Sequence, residues 1–178
     1  MGPSISSVMI FIALTSTAIA GTEEISAGPF NVSFDLNTKD DYSIHAESEN
    51  LQTLNSPNCT EYEVKVLDAL GQPSVAISIF RYDTPWHLDI KSFGDLIANG
   101  LFKSRMGFDD IKISYRDIDG WNGVLISARD AGMPQEADEA YSFAYVIDDR
   151  TNVDVISFYD WEEGSQSLID TINITMTE

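Results

Sequence analysis

The chain has 178 residues, and its 29 acidic side chains against 10 basic ones give a formal charge of −19 and a sequence pI near 4.1. Such a surface repels nucleic-acid phosphates and anionic lipid headgroups, which excludes nucleic acid as a partner class. Cys59 is the single cysteine, so no intrachain disulfide can form, and a chain of this length can bury a core without one.

Residues 1–20 carry no charged side chain. Val8 to Leu14 is an unbroken apolar run, followed by small polar residues and then Ala18-Ile19-Ala20. A short apolar core ahead of an A-x-A site reads as a cleavable export signal, cut between Ala20 and Gly21. Seven apolar residues span only about 10 Å as a helix, so no transmembrane span is expected. No cysteine follows the site to accept a lipid. The expectation is a secreted or extracytoplasmic protein with a leader over 21–29 and a single domain over 30–178.

Phe30, Val32, Phe34 and Leu36 alternate with polar residues and predict a half-buried strand. Tyr42, Ile44 and Ala46 predict a second, and 47–60 lacks any period and reads as a loop. Tyr62, Val64 and Val66 predict a third strand, and Val75, Ile77 and Ile79 a fourth across Gly71-Gln72-Pro73. The period then changes. Phe93, Leu96, Ile97 and Leu101 recur at helical spacing, with Ser92 as the expected N-cap and Gly107 as the stop. Strand patterns return at 111–115 and 124–128 around Asp119-Gly120. They return again at 140–147 and 153–159 around a loop over 148–152. Leu168, Ile169 and Ile172 predict a closing helix from about 165 to 176.

The expected class is therefore α+β, a mostly antiparallel sheet with a mid-chain helix and a C-terminal helix. This layout resembles the Mog1/PsbP-like α/β/α sandwich: a strand pair at 30–36 and 42–46, one helix at 92–104, a hairpin about Asp119-Gly120, and two long strands before a final helix. The resemblance covers most of residues 30–176 and implies a small non-catalytic adaptor or binding protein. It hands over no catalytic residues.

No motif of cofactor or catalytic chemistry stands out. Only His45 and His87 accompany Cys59, without zinc-ligand spacing, and a Cys59–His pair reads as coincidence. There is no G-x-S-x-G elbow and no phosphate-cradling glycine loop. Asp148, Asn152 and Asp154 could share one calcium ion at their hairpin, yet they fall short of the six to eight oxygens calcium takes. Catalytic, cofactor and metal residues are accordingly expected to be none. Trp86, Trp121 and Trp161 lie beside turns and form a candidate recognition surface, with Trp121 expected to be exposed. Three N-x-[ST] sequons, at Asn31, Asn58 and Asn173, are possible glycan acceptors, and Asn58 is the most accessible by position. The function expected is an exported acidic binding or accessory domain with an envelope or extracellular protein partner. The alternatives are an extracytoplasmic hydrolase using acidic residues and a cell-surface structural component.

Overall fold

The computed structural model describes residues 12–14, 21–38, 40–52, 57–87, 89–108, 110–129, 139–157 and 164–177. Eleven strands, β1 (Ile12–Leu14), β2 (Glu23–Ala27), β3 (Phe30–Phe34), β4 (Tyr42–Leu51), β5 (Cys59–Asp68), β6 (Pro73–Tyr82), β7 (Asp110–Ile118), β8 (Trp121–Arg129), β9 (Glu139–Asp148), β10 (Thr151–Ser157) and β11 (Asn173–Met176), build two sheets. The large one runs β1-β4-β5-β6-β10-β9-β8-β7, antiparallel throughout, and the small one runs β11-β3-β2. Helix α1 (Ile90–Leu96) leads into a π-helical segment (Ile97–Met106), and helix α2 is Gly164–Thr171. The α+β class and its antiparallel pairing are as the sequence predicts.

The alternation in β3 puts Phe30, Val32 and Phe34 into the core, but not as the partner of β4. The chain crosses from the small sheet to the large one between them. The expected leader supplies the partner instead. Ile25 and Ala27 are buried in β2, and Gly28-Pro29 turns the chain straight back into β3. Gly28 holds φ +60°, and a Cβ there would run into the Tyr62 ring, so both backbone and space demand glycine. The Tyr62 ring in turn meets Phe30 edge-on at 5.5 Å.

At the far end of the chain the expected long helix stops at Thr171. Asn173–Met176 extends as β11 along β3, placing Ile174 opposite Val32. Ile172, Ile174 and Thr175 are β-branched, and the alternating burial of 172–175 fits a strand better than a helix. Two sequons thereby face each other in register: Asn31 opposite Thr175, and Ser33 opposite Asn173.

The small sheet and α2 cover one face of the large sheet. Ile25, Phe30, Val32, Phe34, Leu168 and Ile172 pack in one cluster with Ile44, Val64, Ile77, Ile79, Phe143 and Val155. On the opposite face, α1 and the π-helical segment cover β7, β8 and β9, burying Ala98 and Phe102 against Val124, Ile126 and Ala144. The cap of α1 is Asp89, one turn before the expected Ser92. Its carboxylate accepts from Lys91 N at 3.1 Å and from the Ser92 hydroxyl at 2.6 Å. The five-residue hydrogen-bond step after Leu96 breaks the 3.6 period and leaves Leu96 65% exposed, off the apolar face where the sequence placed it. Gly107, at φ 78°, closes the segment as expected.

Asp119 joins the C-terminal strand to the large sheet. It sits at φ 53° in the two-residue β7–β8 turn. Its carboxylate accepts from the Tyr145 hydroxyl (3.2 Å), the Ile174 amide (3.0 Å) and Asn173 Nδ2 (2.8 Å). Tyr145 is fully buried, so loss of its acceptor leaves an unsatisfied hydroxyl in the core. Asp119→Ala is expected to cost about 2–3 kcal/mol in urea unfolding and to remove exchange protection at the Ile174 amide. Asp119→Asn keeps the left-handed turn and one carbonyl acceptor and should lose less.

Candidate functional site

The candidate site is the half of the large sheet's second face that none of the described helices covers. Directly opposed residues form one row across seven strands: Glu47, Glu63, Ser78, Asp154, Ala144, Val124 and Tyr115. The row is apolar or aromatic where α1 and the π-helical segment lie, and carboxylate-rich on β4, β5 and β10. Glu49 and Glu61 form a second opposed pair beside it. Side chains on a strand alternate between faces, so one pleat positions every member of the row.

Three of these carboxyls are shifted from their ordinary range. Asp154 is half-buried on β10 and accepts from Oγ of the fully buried Ser142 at 3.4 Å. Burial raises its pKa to about 7, with Glu61 adding to the rise and the Ser142 bond opposing it. Burial also raises Glu63, although Lys65 Nζ donates to its Oε2 at 2.8 Å. Lys65 bridges to Glu47 as well, which lowers the Glu47 carboxyl, while the two carboxylates together raise the ammonium. Lys65 so offsets part of the negative charge at the β4–β5 end of the row, and Asp154 has no cationic partner among the described residues. Glu63 and Asp154 stand two strands apart, about 10 Å between backbones, with Ser78 between them. Chemically, this surface can hold cationic groups and exchange a proton near neutral pH.

The residues singled out from sequence fall elsewhere. Trp121 is 43% exposed at the β7–β8 turn, whereas Trp86 is half-buried, its ring 6.1 Å from that of Tyr82. The two tryptophans lie on separate turns, and Trp161 lies outside the described residues. Asn58 is exposed just before β5, while Asn31 bonds Glu24 and Ser26, and Asn173 bonds Asp119. Cys59 is buried, and burial raises its thiol. His45 faces Lys65, six residues along β5 from Cys59 and so about 20 Å away. Asp148 is held by Arg81 at 2.9 Å and Asp154 by Ser142, so the carboxylates of the suggested calcium set have separate partners. Among the described residues no group of three or more His, Cys, Asp or Glu could hold a metal ion.

Glu47 and Glu49 fall in 47–60, which the sequence reads as a loop between β4 and β5, while Glu61 and Glu63 are the polar positions at and within the expected third strand. Both strands continue to Leu51 and Cys59, and Thr60 donates to Asn50 across them at 2.8 Å. A signal did exist: Glu61, Glu63 and Lys65 alternate with Tyr62, Val64 and Val66.

Two surface clefts flank the sheet. One, of about 510 Å³, lies between α1 and β7–β8, lined by Lys91, Tyr115, Arg116 and Asn122. The other, of about 410 Å³, lies by the β5–β6 turn with Asp40, Asp41 and Asp68.

An acid whose pKa rises on folding binds its proton more tightly in the folded state. Its protonated form favours the fold, and stability is lost as pH climbs from near 3.8 to about 7. Asp154→Asn removes that loss. The variant should match the wild type near pH 4 in urea unfolding, gain on it through pH 7, and hold a constant advantage above. A difference that does not vary with pH would contradict the buried carboxyl.

No protein-family model, no curated protein and no solved structure matches this chain.

Proposed function

We propose that this chain is an exported, non-catalytic binding domain whose contact surface is the carboxylate-bearing half of the large sheet's second face, and whose partner is a cationic envelope or extracellular protein. The observation that carries the reading is the row Glu47–Glu63–Ser78–Asp154, with Glu49 and Glu61 beside it. It places five carboxylates on three strands, β4, β5 and β10, against Lys65 and His45. Complementary charge steers association and selects partners. The element order, with one helix between two sets of strands and a helix near the C-terminus, supports the Mog1/PsbP-like resemblance and through it an adaptor role. The strand after α2 and the sheet built on β3 go beyond that pattern. The apolar run over 8–14 and the A-x-A site support export with cleavage after Ala20, a cut that removes β1 and makes β4 the edge of the large sheet in the exported form.

One observation favours the hydrolase reading: a carboxyl titrating near 7 is suited to general acid catalysis at neutral pH. Loss of turnover in Asp154→Asn on a panel of esters and glycosides would promote it over binding.

The main test is capture from the native envelope with the full chain. Glu61→Lys with Glu63→Lys should release the captured partner, whereas Asp95→Lys on exposed α1 should not, and capture should weaken with added salt. Equal loss from both variants would refute this face as the contact. N-terminal sequencing of the exported form should begin at Gly21.

A further inference from the structure

Strand β7 is the outer edge of the large sheet, and among the described residues nothing pairs with its far side. Residues 112–117 are exposed, including Ile113 at 37% and Tyr115 at 55%. A nine-residue edge carrying exposed apolar side chains is a template for another strand. The β7–β8 turn fixes which backbone groups it offers. Asp119 and Gly120, at φ 53° and 77°, form a two-residue hairpin loop that Ile118 and Trp121 close as a hydrogen-bonded pair. Even-numbered residues of β7 therefore bond β8. Ile111, Ile113, Tyr115 and Asp117 direct their N–H and C=O groups outward.

The side chains then choose among antiparallel self-pairings. A two-fold axis at Ser114 sets Lys112 against Arg116 twice, and one at Lys112 opposes two lysines, both repulsive. An axis at Ile113 sets Ile113 against itself, Ile111 against Tyr115 twice, Lys112 against Ser114 twice and Asp110 against Arg116 twice. Within residues 110–116 each outward-directed residue meets another, every apolar residue meets an apolar one, and both charged pairs attract; one step further out, past the first residue of β7, the register sets Asp117 against position 109, also an aspartate. The local charge permits the approach. Lys91, Lys103, Arg105, Lys112, Arg116 and Arg129 fall within residues 90–129 against five acidic residues there, in a chain of charge −19.

We propose that two copies of this chain join through the outer edge of β7, antiparallel about a two-fold axis at Ile113, into one continuous sheet. Such an isologous contact is closed and repeats no further. It leaves the carboxylate face on β4, β5 and β10 free on both copies, so the dimer stands or falls separately from the binding role of that face.

The test is sedimentation of the full chain with charge-swapped variants. The wild type should sediment as a dimer. Arg116→Asp sets aspartate against Asp110 of the second copy, Asp110→Arg sets arginine against Arg116, and each variant alone should be monomeric. An equimolar mixture of the two should form a heterodimer, because both cross-strand pairs become attractive again. Since Asp110 and Arg116 also bond Arg129 and Asp170 within the chain, circular dichroism must show that each variant folds. Ile113→Cys gives a reading that spares those ion pairs. Hydrogen-bonded antiparallel partners stand about 5.5 Å apart at Cα, within disulfide range, so oxidation should cross-link it and not Ser114→Cys. A wild type that stays monomeric at the highest attainable concentration would overturn the proposal. So would a dimer indifferent to both swaps, or one that cross-links at 114 and not at 113.

Discussion

The large sheet has two faces to keep from water, and every other part of the molecule follows from how they are covered. One face is closed by pieces from opposite ends of the chain: the β2–β3 hairpin, α2 and β11, which bring Phe30, Phe34 and Leu168 onto Ile77, Phe143 and Val155. Burial of aromatic and branched side chains, each worth about 1.5–3 kcal/mol, makes this the main source of stability. Among the described residues, helix closes the second face over β7 to β9. The mid-chain segment is short, and its π-helical turn spends ten residues on little length.

That incomplete cover accounts for the distribution of polar groups. Where helix lies on the sheet, the inward positions are Val124, Ile126 and Ala144. Where none of the described helices lies, the same pleat carries Glu47, Glu63 and Asp154. Asp154 stands at the border between the two. It is close enough to packed backbone to lose solvation and far enough from Lys65 to gain no counter-charge, which is why its proton is held near neutrality.

Much of the fold was legible because burial on one face imposes a period of two. The β3, β5 and β6 patterns, the Asp119-Gly120 turn and the stop at Gly107 all lie where alternation and turn chemistry put them. The misreadings have physical causes. Residues 47–50 at the end of β4 are polar and unburied, so no hydrophobic signal marks them and they read as loop, although Glu47 lies opposite Glu63 and both bond Lys65. Strand β2 was hidden by its polar flanks, although Ile25 and Ala27 before Gly28-Pro29 carried a hairpin signature. Residues after Leu168 hold helical spacing only to Ile172, beyond which pairing with β3 outweighs it. Of the candidate site almost nothing was legible, because its members come from β4, β5 and β10, and only the strand order makes them neighbours.

The position of β11 has a consequence for folding. Strand β3 is the middle of the small sheet, and one of its two partners, β11, is far from it in sequence. Pairing Val32 with Ile174 closes a long loop, so the small sheet gains its third strand only after most of the intervening chain has been ordered.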